Sequence, residues 1–231
     1  MSIPDQGRVS IGRWGRLHWL RLSEMLALFV AMPVALAFFR DVISPIPVLI
    51  LVGTAVLVML LRDPSFERST LWSTAGLGRA IRQMVPMWLG TAGVVAAALY
   101  LIRPDSLFAF PRTRPATWVL VMTLYPLFSV IPQSIIYRAF FTHRYQVLFG
   151  KGLAMILAGA LAFGLAHVIF KHWIPVVLTV VAGALFVCRH LEYKSMLAGA
   201  IEHAMYGNMV FTLGLGMFFY HGAGRVLPPG P

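Results

Sequence analysis

The sequence predicts an all-α fold: a polytopic transmembrane bundle of about seven helices, with its N-terminus in the cytoplasm. Three observations carry this. Of the 231 residues, 59% are hydrophobic and only 12% charged, against about 25% charged in an ordinary soluble domain. Apolar runs recur along the chain, most of them long enough to cross a hydrocarbon core of about 30 Å. The basic residues fall mainly between those runs, where they act as topology signals. The formal net charge of +11 would suggest nucleic acid on a soluble protein. Distributed between membrane spans, it reads instead as contacts to anionic lipid headgroups, and nucleic acid is set aside as a partner. A single cysteine, Cys188, excludes an intrachain disulfide and any Cys-rich metal site.

Residues 1–22 are polar and basic, with Arg8, Arg13, Arg16 and Arg21 interleaved with Trp14, Trp19 and Leu20. This is the pattern of an amphipathic segment on a membrane surface. Ala35-Leu36-Ala37 resembles a signal-peptide cleavage site, but the spans that follow favour a retained signal anchor. The bundle is expected over 23–220, from apolar runs near 23–39, 43–61, 84–102, 116–142, 152–170, 174–188 and 196–220. The run at 116–142 is too long for one straight span and is expected to tilt, or to leave the bilayer near Arg138. The run at 174–188 is short. A Pro/Gly tail, 221–231, closes the chain. Ala154, Ala158, Ala162 and Ala166 form a small-residue stripe at spacing four. Such a stripe lets a neighbouring helix approach closely.

With the N-terminus inside, the cytoplasmic segments hold Arg8, Arg13, Arg16, Arg21, Arg62, Arg68, Arg79, Arg82, Arg144, Lys151, Arg189 and Lys194. The outer segments hold Arg40, Arg103, Arg112, Arg114, Lys171 and Arg225, a split of 12 to 6. Cytoplasmic loops carry the excess of Lys and Arg, so the chain is expected to be N-in.

Ionisable groups inside a bilayer are costly and therefore candidates for function. Three stretches qualify: Gln133-Ser134-Ile135-Ile136-Tyr137-Arg138, Phe163-Gly164-Leu165-Ala166-His167, and Glu202-His203-Ala204-Met205-Tyr206-Gly207-Asn208. At about 1.5 Å per residue, Gln133, His167 and His203 lie roughly 13, 22 and 10 Å from their cytoplasmic helix ends. They sit on three different helices and can share one cavity, expected to open toward the cytoplasm. Each also has a plain structural use. Gln133 and Ser134 can hydrogen-bond between helices, His167 can be a structural hydrogen-bonder, and Arg138 can snorkel to the headgroups.

In order and spacing these stretches resemble the CAAX protease and bacteriocin-processing family, also called the type II CAAX prenyl endopeptidase family. Its motifs are Glu-Glu-x-x-x-Arg, Phe-x-x-x-His and His-x-x-x-Asn/Asp. Here the first reads Gln133-Ser134-x-x-x-Arg138, the second is intact from Phe163 to His167, and the third has His203 with Gly207 at the fourth position and Asn208 one later. The resemblance covers about residues 116–220 and implies an intramembrane endopeptidase of a bacterial inner membrane that acts on membrane-associated peptides, with or without a prenyl group. In such an enzyme a glutamate activates water and histidines and an Asn assist. It therefore implies Gln133, Ser134, Arg138, His167, His203 and Asn208 as the catalytic set. Any metal would be a divalent ion such as zinc, on His167 and His203. Both carboxylates of the first motif are absent, and a Gln amide has no basicity with which to act as general base. Glu202 is the candidate substitute base, and Ser134 a nucleophile only if a histidine activates it. The alternatives to a working protease are an inactive membrane-bound binding, immunity or scaffold protein, or a small transporter.

Overall fold

In the computed structural model, which describes residues 15–219, no strand occurs among the described residues. Six helices there are long and apolar enough to cross a membrane. They are α1 (Arg16–Phe39), α2 (Pro45–Arg62), α3 (Leu77–Ile102), α4 (Pro115–Phe149), α5 (Leu153–Phe170) and α6 (Trp173–Tyr193). The seventh apolar run forms α7 (Met196–Leu213), 18 residues long. It is the most polar of the seven at its centre, where Glu202, His203 and Asn208 stand. Both Glu202 and His203 are buried, so the helix is an inner wall of the bundle.

The punctuation follows from side-chain chemistry. Pro45 and Pro115 stand in the first turns of α2 and α4, where a missing N–H leaves nothing unsatisfied. The His172 ring accepts from the Ile174 N–H at the start of α6. The Ser195 hydroxyl accepts from the Ala198 N–H and donates to the Ser73 carbonyl, 2.6 Å away. It thus caps α7 and ties it to the α2–α3 linker. Gly214, at φ 117°, ends α7, so the run expected to 220 stops at Leu213. The short run at 174–188 is extended at both ends into the 21 residues of Trp173–Tyr193.

The helix α4 does not leave the bundle near Arg138. It continues through Phe149, 35 residues in all. Arg138 is 1% exposed, so it does not snorkel. Pro126 and Pro132 each remove a backbone donor. The helix accommodates them with wide π-type turns at Pro126–Val130 and Ile135–Phe140, a common device at functional sites. Every residue of Ile135–Phe140 is buried.

The α5–α6 hairpin is held closest not by the alanine stripe but by glycines. A Cβ on Gly164 would run into Val180, one on Gly159 would meet Val187 at 2.9 Å, and one on Gly183 would meet Phe163 at 3.1 Å. Ala162 is buried and Ala158 and Ala166 partly so, whereas Ala154 is exposed. The stripe turns toward the core beneath α1 and α4 rather than marking the tightest crossing. Gly164→Val should lower the apparent melting temperature in detergent, because overpacking of this kind costs about 1–3 kcal/mol. An unchanged transition would show that α6 can move away.

Polar ties lock one end of the bundle. Arg144 donates to Glu24 from Nε and Nη2, at 2.9 and 2.7 Å, and Tyr145 donates to the same carboxylate at 3.1 Å. Beside them, outside the spans, the Ser65 hydroxyl, the His143 ring and the Ser65 backbone N–H hold the Asp63 carboxyl well below its usual range. Arg16, Arg62, Lys151 and Lys194 lie at this end too, by the alternation of the helices. The opposite end carries Arg40, Arg103, Arg112, Arg114 and Lys171. Arg8, Arg13 and Trp14 of the basic segment, and Arg225 and the Pro/Gly tail, lie outside the described residues. Trp19 and Leu20 belong to α1 and are exposed. Single cysteines in a Cys188→Ala background should therefore label from opposite sides: Ala75→Cys from the cytoplasm, Asp105→Cys from outside. The reverse result would invert the topology.

Candidate functional site

A cavity of about 930 Å³ lies inside the bundle, walled by all seven helices and overwhelmingly by apolar side chains. On α4, Tyr125, Ser129, Gln133 and Tyr137 recur every four residues along its wall, the spacing that stacks side chains on one helix face. Facing them, α5 contributes Phe163 and His167, and α7 contributes His203 and Gly207. The cavity thus brings Gln133, His167 and His203 together. From these residues at mid-bundle it runs past Phe170 and Leu215 to Ser44 and Pro45. That is the end away from Glu24 and Arg144. In the N-in topology expected from the charges that end would face outward, opposite to the cytoplasmic opening expected from the same sequence.

The hydrogen bonds assign roles to the ring nitrogens. Arg138 Nη2 lies 3.3 Å from His203 Nδ1. A guanidinium only donates, so Nδ1 must accept. The proton of the neutral ring is then on Nε2, which donates to the Tyr125 hydroxyl at 3.1 Å. His203 is also stacked on Phe186, with ring centroids 4.9 Å apart. Both of its nitrogens are committed, and it is not a free base. His167 differs. Its Nδ1 lies 2.8 Å from the Phe163 carbonyl and must donate, which leaves the Nε2 lone pair as an acceptor. Both histidine rings pack against Phe163, at 4.8 and 5.3 Å.

Gln133 Nε2 donates to Ser129 Oγ at 2.7 Å, while its Oε1 is buried without a partner. Ser134 does not line the cavity. Its hydroxyl donates to the Val130 carbonyl and accepts from Arg138 Nη1 at 2.8 Å, an arrangement that leaves no histidine to activate it. The Arg138 guanidinium sits between Phe163 and Phe186, 5.0 and 4.7 Å from their ring centroids. Among the described residues no carboxylate reaches ion-pair distance of it. Glu202 is fully buried and faces away from the cavity, accepting from Arg189 Nε and Nη2 at 3.1 and 3.2 Å. Asn208 also lies off the cavity wall, since α7 stays α-helical through Gly207. Its Nδ2 reaches the Met122 carbonyl at 3.5 Å.

Sequence reasoning missed Tyr125 and Arg189. A Cβ on Gly207 would collide with the Tyr125 phenol. The space of the third motif's fourth side chain is therefore filled from α4 by Tyr125, whose hydroxyl meets His203. The signals were a tyrosine directly before Pro126, eight residues ahead of Gln133, and a glycine where an amide was expected.

The donor set does not fit a divalent metal. His203 has no free lone pair, His167 has one, no carboxylate among the described residues lines the cavity, and the Arg138 charge stands beside His203. A catalytic zinc takes three protein ligands. Among the described residues no group of three His, Cys, Asp or Glu side chains is assembled to hold an ion.

Fold and site together define a polytopic helical membrane protein with a polar cluster set in an intramembrane cavity. Residues 115–221 match the family described as type II CAAX prenyl endopeptidase Rce1-like. Over that segment the chain is similar to the CAAX protease family. No curated protein and no solved structure matches it.

Proposed function

We propose that this chain is a CAAX-protease-like membrane protein that binds membrane-tethered peptides in its cavity and hydrolyses them poorly or not at all. The observation that carries this is the absence of any carboxylate from the cavity wall among the described residues. Peptide hydrolysis needs a base to take a proton from water. The Gln133 amide can only orient one, Ser134 is turned into the helix, and Glu202 is held by Arg189. The remaining parts support a binding role: a largely apolar cavity of the size that accommodates lipid-like or drug-sized ligands, a Tyr125 donor, and a His167 acceptor. We read the protein as residing in a bacterial inner membrane with its N-terminus inside.

The test is a farnesylated peptide offered to the reconstituted protein. Saturable binding with slow or undetectable cleavage is expected. Rapid cleavage that collapses on Glu202→Gln would overturn the reading and assign the chemistry to Glu202.

A further inference from the structure

Beside the cavity lies a buried cation that the peptide reading does not use. Arg138 is buried at mid-bundle with neutral partners only, Ser134 and His203, and its Nε has none. Among the described residues no Asp or Glu lines the cavity; Glu202, in contact with Arg189, acts on Arg138 only from behind the wall. In a low-dielectric interior a charge with no counter-ion in contact is felt over a longer range than in water.

The hydrogen-bond directions carry that charge to the cavity wall. Arg138 donates to His203 Nδ1, which fixes the proton on Nε2. That proton goes to the Tyr125 oxygen. A phenol has one hydrogen, and with its oxygen accepting from His203 that hydrogen is left to donate into the cavity. Each donation polarises the next, so the chain strengthens the last donor. Gly207 clears the space that the phenol occupies. The wall therefore presents a polarised O–H donor, within reach of the Arg138 charge, at the base of an apolar cavity of about 930 Å³.

We propose that this cavity binds an amphiphile with a single apolar chain and an anionic oxygen head, a long-chain carboxylate or an isoprenyl phosphate, whose head accepts a hydrogen bond from Tyr125. The inference rests on the cavity and the Arg138–His203–Tyr125 chain, and does not depend on peptide binding.

The test uses the full chain in phosphatidylcholine nanodiscs and the fluorescence of cis-parinaric acid, compared with the alcohol of the same chain. The acid is expected to bind about tenfold more tightly or better, as hydrogen bonds to a charged head exceed those to a neutral one. Tyr125→Phe should bring acid and alcohol to within about twofold while leaving the alcohol bound. Competition by oleate and by farnesyl monophosphate separates the two head groups, and stronger displacement by either supports the proposal. If Tyr125→Phe also loses the alcohol, the exchange Tyr125→Ala with Gly207→Asn decides: return of the preference for acid supports the site, and its failure to return refutes it. Equal binding of acid and alcohol by the unmodified protein, or an undiminished preference in Tyr125→Phe, also overturns it.

Discussion

Gln133→Glu is expected to raise peptide hydrolysis by about 10² to 10⁴, the usual contribution of a positioned general base. The choice of Gln133 over Ser134 comes from the geometry. Gln133 faces the cavity with an unpartnered Oε1, so a carboxylate there would have an oxygen free to take a proton from a water held in the cavity. A carboxylate at 134 would point at Arg138 behind the wall. Ser134→Glu alone should therefore change the rate far less, and its main effect should be on the neighbourhood of Arg138. A single-turnover assay with a farnesylated peptide in detergent or nanodiscs measures both. Equal rates for Gln133→Glu and the unmodified chain would mean that the missing base is not what limits hydrolysis.

Glu202→Ala is expected to destabilise the bundle by about 1–3 kcal/mol, since Arg189 loses its buried acceptor but keeps Gln83 and Glu192. Glu202 is fully enclosed, and the Arg189 side chain retains 10% exposure. Arg189 also donates to Gln83, so the pair ties α6 and α7 to α3. The effect should appear as a lowered apparent melting temperature in detergent. Glu202→Gln, which keeps the shape, should cost less. Neither variant should reduce hydrolysis by the Gln133→Glu background beyond what instability explains. A rate that falls while the melting transition stays put would return Glu202 to the chemistry.

Much of the architecture was legible in the chain. Apolar runs and the sparsity of charge marked the spans, because a bilayer demands about 20 apolar residues per crossing and tolerates few ionised groups. The reading failed where local composition and packing diverge. Arg138 suggested an exit from the membrane, yet it lies between Phe163 and Phe186 inside α4's wide turns. An alanine stripe suggested the tight crossing, yet glycines make it.

The site divides the same way. By itself the sequence determined a membrane bundle, the family resemblance and the loss of both motif carboxylates, because these depend on residue type and spacing along one chain. Only the tertiary structure decided what each remaining group can do. It paired Glu202 with Arg189, turned Ser134 into its own helix, and set Tyr125 against His203 across 78 residues of chain. Proton positions on a ring and partners of a buried charge are set by atoms from other helices, and no periodicity within one helix records which neighbour it will meet.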